Sequence, residues 1–238
     1  MFVFTEKEKE SINRSVLFKN VPDDITRKLL AQSQKCTIPR GKTLFIQGDS
    51  ADRMFVVLKG WVKLSRISSS GDEVVLTVYS TGDSFGEAAA LKAGLYPVSA
   101  EAVSDCHLMS IKASVILKAL TTHPELAVAM LSCTFQHLHE LVLQLEDMKA
   151  LSGAKRLAAF LIALAPVDAG SCTFSLPYDK VLIAARLGMK PESLSRAFAR
   201  LRDTGVMVSR NNVAISDIEG LHDYVEEERS AGWKQVGA

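Results

Sequence analysis

Short alternating runs of apolar residues fill the chain from about residue 36 to 111. These runs are Thr43–Ile46, Met54–Leu58, Trp61–Leu64 and Val74–Tyr79. Glycines separate them at intervals of seven to twelve residues, at positions 41, 48, 60, 71 and 82. Alternation with period two predicts half-buried strands, and regularly spaced turn residues predict an antiparallel β sandwich or roll.

Helical patterns flank this segment on both sides. Thr5-x-x-Glu8 is typical of a capping box, and Pro22 precedes a second short amphipathic stretch. After the strands, Thr122 to Glu125 predicts another capping box, and no glycine or proline follows from Glu125 to about Ala150. We therefore expect a helix of about 26 residues, which would be about 40 Å long.

Apolar residues recur on this long helix at spacings of three and four residues as far as Met148. They include Leu131, Leu138, Leu141 and Leu145. A helix of this length is too long for one small β domain to cover, so the stripe predicts pairing with a second copy in a homodimer. A helix that packs within its own chain is the alternative.

A pair of short helices is predicted near the C-terminus, after a helix from Lys155 to Ala165. The first runs from Asp179 to Leu187 and ends at Gly188, and Pro191 begins the second. In the second helix, Leu194, Ala197, Phe198 and Leu201 occupy positions i, i+3, i+4 and i+7. That face is therefore expected to be buried.

The remaining face of the second helix has the chemistry to contact DNA. Glu192, Ser195 and Arg196 share its exposed N-terminal part. Arginine can donate to guanine O6 and N7, and glutamate can accept from cytosine N4. Three further cations are expected to contact phosphates, namely Lys190, Arg200 and Arg202. The alternative is a helical hairpin on a small sheet, with arginines that have no such role.

Charge and a predicted hairpin support the DNA-binding interpretation. Residues 151–216 contain nine Lys and Arg against four Asp and Glu, a net charge of +5, although the whole chain has a net charge of only +1. A concentrated positive charge is expected of a module that binds a polyanion. Two short strands around Arg210-Asn-Asn212 predict a wing, because asparagine tolerates the positive φ of tight hairpins.

Composition favours an ordinary globular protein without catalytic machinery. The chain is 47% apolar and 23% charged, and its four cysteines lie far apart. It has no run of about 18 uncharged apolar residues and no signal peptide, so we expect it in the cytoplasm with no membrane partner. We expect no catalytic or metal site. The one His-x-His, His137 and His139, lies on a helix, where the two rings diverge.

The segment Leu187–Arg196 resembles the recognition segment of the cyclic-AMP receptor protein/fumarate-nitrate regulator (CRP/FNR) superfamily, and the resemblance extends over nearly the whole chain. It implies an α+β fold: an N-terminal cyclic-nucleotide-binding-type β-roll (jelly roll), a long dimerisation helix and a C-terminal winged helix-turn-helix. The expected domains are a sensor at 1–124, the dimerisation helix at 125–150 and a DNA-binding domain at 151–238.

The recognition segment is more similar to the fumarate-nitrate branch, whose Glu-x-x-Ser-Arg face implies TTGA-type half-sites. Glu192, Ser195 and Arg196 match that face, whereas Pro191 stands where the cyclic-AMP receptor has an arginine. The resemblance implies double-stranded DNA with a palindromic operator, a second copy of the chain, RNA polymerase and a small-molecule effector as partners.

The effector pocket is expected at Gly86, Glu87, Val98 and Ser99. In members that bind cyclic nucleotides, a Gly-Glu pair is followed about ten residues later by Arg-Ser, and that arginine neutralises the phosphate. Here Val98 takes the place of the arginine. Because a buried phosphate needs a charged partner, we do not expect conventional cyclic-AMP binding.

Other effectors are implied by other branches of the family. The first cysteine is Cys36, inside the predicted roll, which disfavours the iron–sulfur type of sensor. Pro97–Ala102 and Leu138-His139 resemble the dissimilatory-nitrate-respiration (DNR) regulators, which implies haem and nitric oxide as the leading candidates, with one of five histidines as ligand. A cyclic-nucleotide-dependent regulator and an effector-independent repressor with a vestigial pocket remain as alternatives.

Overall fold

Eight strands form a β-roll in the computed structural model, which describes residues 4–15, 17–68, 71–176 and 179–226. The strands are β1 (Gln34–Ile38), β2 (Thr43–Phe45), β3 (Arg53–Lys59), β4 (Val62–Ile67), β5 (Glu73–Tyr79), β6 (Ser84–Phe85), β7 (Ser99–Ala102) and β8 (Cys106–Lys112). They pair in two antiparallel sheets with the orders β1-β8-β3-β6 and β2-β7-β4-β5. The predicted roll is therefore confirmed.

Five helices accompany the roll. They are α1 (Glu6–Arg14), α2 (Asp23–Ala31), α3 (Glu87–Leu91), α4 (Ala113–Thr122) and α5 (Pro124–Ala150). At α1 the Thr5 hydroxyl accepts from the Glu8 N–H at 3.3 Å, and the Glu8 carboxylate accepts from the Thr5 N–H at 2.9 Å. This is the predicted capping box, and two of the unpaired donors at the helix start are thereby satisfied.

The second predicted capping box is wrong. Thr122 is the last residue of α4, a helix that the sequence pattern did not separate from α5. Its hydroxyl donates to the carbonyls of Lys118 and Ala119, at 3.4 and 3.2 Å, and so belongs to the end of α4. The long helix begins at Pro124, two residues after Thr122, and continues to Ala150 as predicted. The side chains at 140, 144 and 147–150 are not among those described. Met148, the predicted last residue of the apolar stripe, is one of them.

Strand β3 connects two separate apolar cores because it buries side chains on both faces. Met54, Val56 and Leu58 face the helices, together with residues of α1, α2, α4 and the start of α5. Val57 and the partly buried Phe55 face the inside of the roll. Successive side chains of a strand point to opposite sides, so one strand supports both the helical layer and the interior of the roll.

The C-terminal region consists of short helices and a three-stranded sheet. It contains α6 (Gly153–Leu164), β9 (Cys172–Ser175), α7 (Lys180–Arg186), α8 (Pro191–Leu201), β10 (Val206–Ser209), β11 (Asn212–Ile215) and a further helix, α9 (218–226). The sheet order is β10-β11-β9. The predicted hairpin is thus present, because turn residues mark its two short strands, whereas β9 is equally short, has no hairpin turn beside it and was not predicted.

Contacts divide the chain into two units, residues 1–139 and 140–238. The first contains the roll and the first part of α5. The second contains the rest of α5 and the helix-turn-helix region. The proposed functional limits, at residues 124 and 150, remain predictions.

Candidate DNA interface and effector pocket

The turn between α7 and α8 is built by local hydrogen bonds. The Asp179 carboxylate accepts from the Leu182 N–H at 3.1 Å and caps α7. Gly188 adopts a φ of +62°, which favours glycine, and the Met189 N–H donates to the Ala184 carbonyl at 2.9 Å. Pro191 then occupies the first turn of α8, where its missing N–H costs nothing.

Helix α8 has one buried and one exposed face, as the spacing predicted. Its buried residues are Leu194, Ala197, Phe198 and Leu201. Glu192, Ser195 and Arg196 are exposed, and the Ser195 hydroxyl donates to the Pro191 carbonyl at 3.1 Å. The structure thus brings these three residues together on the exposed N-terminal part of α8, where a recognition helix contacts base edges.

The three predicted phosphate contacts are also exposed. Lys190 immediately precedes α8, Arg200 lies in its last turn, and Arg202 begins the 3₁₀ turn that follows. Two cations of α7 lie against aromatic rings instead: Lys180 Nζ is 5.2 Å from the Phe198 ring centre and Arg186 Cζ is 5.7 Å from that of Phe160. Sequence spacing does not predict these cation–π contacts, which hold α7 against its neighbours.

The wing turns differently from the prediction. The residue with positive φ is Arg210, at +53°, and no asparagine has that conformation among the described residues. Asn211 instead donates its amide to the Leu176 carbonyl at 2.9 Å, and the Asn212 side chain accepts from Ser175 at 2.7 Å. The asparagines therefore anchor the hairpin to β9 and its flank, and Arg210 forms the exposed tip.

Gly86 has a geometric reason to be glycine. Its φ is +89°, and a Cβ there would lie 3.2 Å from the Arg53 carbonyl oxygen. The same carbonyl accepts a hydrogen bond of 2.6 Å from the Tyr96 hydroxyl. Gly86 thus allows the turn into α3 to pass close to β3, and Glu87 follows as the first residue of α3.

Glu87 carries a buried carboxyl group that is incompletely paired. Its Oε1 is buried and has no hydrogen-bond partner among the described residues. Burial raises the pKa of Glu87, while a hydrogen bond with Ser84 and the nearby His137 act in the opposite direction. A ligand that donates a hydrogen bond would satisfy this oxygen.

Val98 and Ser99 are neighbours in sequence but lie on opposite sides of the sheet. Val98 packs against the interior core of the roll. The Ser99 hydroxyl accepts from the Gln47 N–H at 2.9 Å, and Ser99 lines an outer groove with Glu73 and Glu101. The four predicted pocket residues therefore do not all face one cavity.

Aromatic side chains fill much of the interior of the roll. The Phe45 and Tyr96 rings stack with centres 3.7 Å apart, and Phe55 and Phe85 stack at 5.2 Å. Tyr79 stacks on Phe85 at 5.7 Å. At its end this series reaches α5, where the Tyr79 and His137 ring centres are 6.5 Å apart.

The predicted dimer residues on α5 are exposed. Leu131, Leu138, Leu141 and Leu145 have 54–58% of their surface accessible. Leu126, Ala129 and Cys133, which pack against the N-terminal core, project from a different side of the helix at 100° per residue. One face of α5 therefore belongs to the sensor, and the other is apolar and uncovered in the single chain.

The same helix meets the length and composition of a membrane span over Pro124–Leu143. A single helix of this kind is weak evidence for a membrane span, and the segment includes the charged residues Glu125 and Glu140. Pairing with a second helix is an alternative way to cover its apolar face. Within the described residues, no group of three His, Cys, Asp or Glu side chains is arranged to hold a metal ion.

The five histidines have different surroundings. His107 lies 3.8 Å from a Glu8 carboxylate oxygen, and His123 lies 3.4 Å from the Lys28 ammonium group. His139 and His222 are exposed. His137 is partly buried next to Tyr79, so it is the histidine in ring contact with the interior aromatic series.

Comparison with known proteins matches both halves of the chain. Residues 35–123 match the cyclic nucleotide-binding domain family, and residues 155–224 match the Crp-like helix-turn-helix domain family. The CRP-like cAMP-activated global transcriptional regulator of Mycobacterium tuberculosis is 26% identical over 217 residues, which are 89% of this chain and 97% of that protein. The global nitrogen regulator of Synechococcus elongatus is 30% identical over 172 residues, 69% of this chain and 77% of that protein.

Two solved structures are similar to this chain over more than 90% of its length. A candidate cyclic nucleotide binding protein from Ruegeria pomeroyi is 48% identical, with a TM-score of 0.75, and the match covers 93% of this chain and 98% of that one. DNR from Pseudomonas aeruginosa is 26% identical, with a TM-score of 0.54, and the match covers 94% and 100% of the two chains.

Proposed function

Because this chain belongs to the CRP/FNR family of transcription regulators, we propose that it is a homodimer that binds a palindromic TTGA-like operator under the control of a small molecule. The helix-turn-helix supplies DNA binding, as in its relatives, which are transcription regulators. We place its action in the cytoplasm of a bacterial cell, with RNA polymerase as the expected partner at the promoter.

The observation that carries this proposal is the exposed row of Glu192, Ser195 and Arg196 on α8. These residues lie on the face opposite the buried Leu194 and Phe198, so binding to DNA requires no rearrangement of the helix. A glutamate and an arginine at this spacing supply an acceptor for cytosine and a donor pair for guanine.

Binding to a TTGA palindrome tests the proposed operator. We expect specific binding at least roughly a thousandfold tighter than binding to random duplex at the same salt concentration. A duplex in which the guanine of both half-sites is replaced serves as the control, because its shape and charge are nearly unchanged. Equal affinity for the palindrome and the altered duplex would contradict the operator assignment.

The proposed effector binds within the roll, near Glu87 and Val98. The expectation against cyclic AMP depends on the missing cation at position 98, while relatives described as cAMP-activated or as candidate nucleotide-binding proteins keep the alternative open. An effector-independent repressor is the third possibility. Melting of the purified protein with and without cyclic AMP, together with mass spectrometry of co-purified small molecules, distinguishes these cases.

Haem with nitric oxide is the leading effector candidate, supported by the position of His137. This side chain is partly buried at the end of the aromatic series, so it is the histidine that would hold a flat apolar group such as haem through its ring nitrogen. Haem would supply the iron that binds nitric oxide. Expression with haem supplementation should then give a Soret band that His137→Ala shifts or removes, and a protein that never takes up haem excludes this candidate.

A further inference from the structure

Position 98 lacks an arginine, but the side chain of Arg66 on the neighbouring strand β4 reaches the residue just before it, Pro97. Strands β4 and β7 are antiparallel, with Leu64 opposite Ala100 and Ser65 opposite Ser99. If this register is continued one residue beyond the last pair, Arg66 stands opposite Val98, which immediately precedes β7. Residues directly opposite each other in an antiparallel sheet project from the same face.

That face is the interior one. Leu64 and Ala100 both pack in the interior core of the roll, and Val98 contacts the same cluster. Arg66 follows Leu64 by two positions near the end of β4, so alternation along the strand directs it to the same side, where its side chain is exposed. The other face of β4 carries Ser65. Ser65 pairs with Ser99 across the two strands, and both residues line the outer groove.

The guanidinium group of Arg66 is held next to position 98. Its Nε and Nη2 donate to the Pro97 carbonyl at 3.2 and 3.1 Å. A guanidinium group has five N–H donors, so two bonds leave three for another partner. Arg66 forms no ion pair with the described residues, so its charge is uncompensated within them.

The interior side of the roll, which Leu64 and Val98 face, is apolar and only partly covered. Phe55, Leu64, Tyr79 and Val98 pack against the interior core but are not fully buried. Glu87 contributes a buried oxygen without a partner in the described part of the chain. A cation, an apolar lining and an unpaired acceptor are complementary to an organic molecule with an acidic group, an apolar body and a hydrogen-bond donor.

We propose that Arg66 is the anion-binding residue of the effector pocket, and that the effector is an organic anion whose phosphate or carboxylate binds the guanidinium group. The inference rests on the proposed effector-controlled function. Arg66, on the strand next to position 98, would supply the positive charge that Val98 lacks. A ligand with an acidic group could therefore bind although Val98 is apolar. Arginine suits both acids because its planar donors pair with two oxygens.

Two pairs of probes test the charge requirement in the full-length protein. Cyclic AMP and adenosine represent the phosphate case, and phenylacetate and phenylacetamide represent the carboxylate case. We expect saturable binding of at least one anionic probe by calorimetry, and much weaker binding of its neutral counterpart. Binding of cyclic AMP alone indicates a nucleotide-type ligand, and binding of phenylacetate alone indicates a carboxylate.

Variants then assign the binding to Arg66. Arg66→Gln keeps a donor for the Pro97 carbonyl but removes the charge, and it should weaken the bound anion by roughly tenfold to a hundredfold. Arg66→Lys should weaken it less, because the charge remains without the paired donors. Adding Val98→Arg to Arg66→Gln should restore part of the affinity. Arg40→Ala, which removes an exposed charge near the other end of β7, is the matched control and should leave the Kd unchanged.

Melting temperatures of all variants, measured without probe, confirm that each one folds. The inference is overturned if no anionic probe binds saturably at millimolar concentration, or if Arg66→Gln binds it as tightly as the wild type. Specific operator binding by the same preparations is measured separately. If the operator is bound specifically but the probe experiment fails, only the proposed role of Arg66 is removed. If the operator is not bound under any condition, the proposed function itself fails.

Discussion

The Ser84 hydroxyl group forms a hydrogen bond with the Glu87 carboxyl group, whose Oε1 is buried without a partner in the described chain. Ser84 also lies 4.0 Å from the Cys133 sulfur atom on α5. The carboxyl group is therefore placed between strand β6 and the long helix, and it is only half satisfied. Its ionisation should affect the stability of the sensor.

The first prediction concerns Glu87→Gln. Burial raises the pKa of Glu87 above its usual value of 4.5. Between the usual pKa and the raised pKa of the folded state, the folded protein holds a proton that the unfolded chain has lost. The free energy of unfolding therefore falls as the pH rises through this range. We expect Glu87→Gln to remove this dependence, and its melting temperature relative to the wild type to increase from pH 4.5 towards neutrality.

Glu73→Gln is the matched control, with the opposite sign. A hydrogen bond from Lys63, at 3.1 Å, is the main reason that the pKa of Glu73 is lowered. Its contribution is present above the usual pKa and is lost as the pH falls, so this variant should be less stable than the wild type at neutral pH and equal to it in acid. Parallel pH profiles for the two variants would contradict this account of Glu87.

The second prediction concerns the dimer. Leu138→Glu or Leu145→Glu places a carboxylate in the proposed seam between two α5 helices, where an unpaired buried charge is strongly unfavourable. We expect the dimer to weaken by roughly a hundredfold or more, and operator binding to weaken with it. Analytical ultracentrifugation measures the first effect and anisotropy of labelled operator the second.

His139→Glu is the control for this experiment, because His139 is exposed on α5 but lies about 100° around the helix from Leu138. This variant should remain dimeric. A tight dimer in both leucine variants would show that α5 packs elsewhere and that its apolar face has another function.

The third prediction concerns Gly205, which ends the turn after α8 with a φ of +81°. A Cβ at this position would lie 2.0 Å from the Ser216 hydroxyl oxygen. Gly205→Ala should destabilise the wing by roughly 1–3 kcal/mol, since the backbone conformation and the contact are both unfavourable. Chemical denaturation measures the loss. Ser216→Ala should recover only part of it, because the positive φ remains, and full recovery would show that the contact alone was responsible.

Sequence periodicity predicted the elements that have a long or regular pattern. The roll and the buried face of α8 follow directly from apolar spacing, because one face of each is buried, and α5 follows from a long stretch without glycine or proline. It missed β9 and the separate helix α4, whose signals are short or merge with a neighbour. Judged by sequence alone, Thr122 could lie at the end of α4 or cap the start of α5. Only the boundary between the two helices in the structure shows that it belongs to α4.

The cation proposed for the pocket was not among the predicted residues, for a different reason. The family motif covers Val98 and its neighbours in sequence, and these include no lysine or arginine. Arg66 is 32 positions away in the chain but opposite Val98 in the extended register, a relationship that depends on strand pairing. Ser99 was predicted in the same pocket as Val98, but alternation along β7 places the two on opposite sides.

The DNA-reading role of α8 is tested most directly by comparing Arg196→Ala with Arg202→Ala on two duplexes over a range of salt concentrations. Arg196→Ala should lose about 1–3 kcal/mol on the TTGA palindrome and relax the preference at one base pair of each half-site. Arg202→Ala should weaken binding to all sequences alike and reduce the salt slope by about one. If Arg196→Ala instead weakens binding to the palindrome and to random DNA equally, α8 does not read the operator, and sequence-specific regulation through this helix is contradicted.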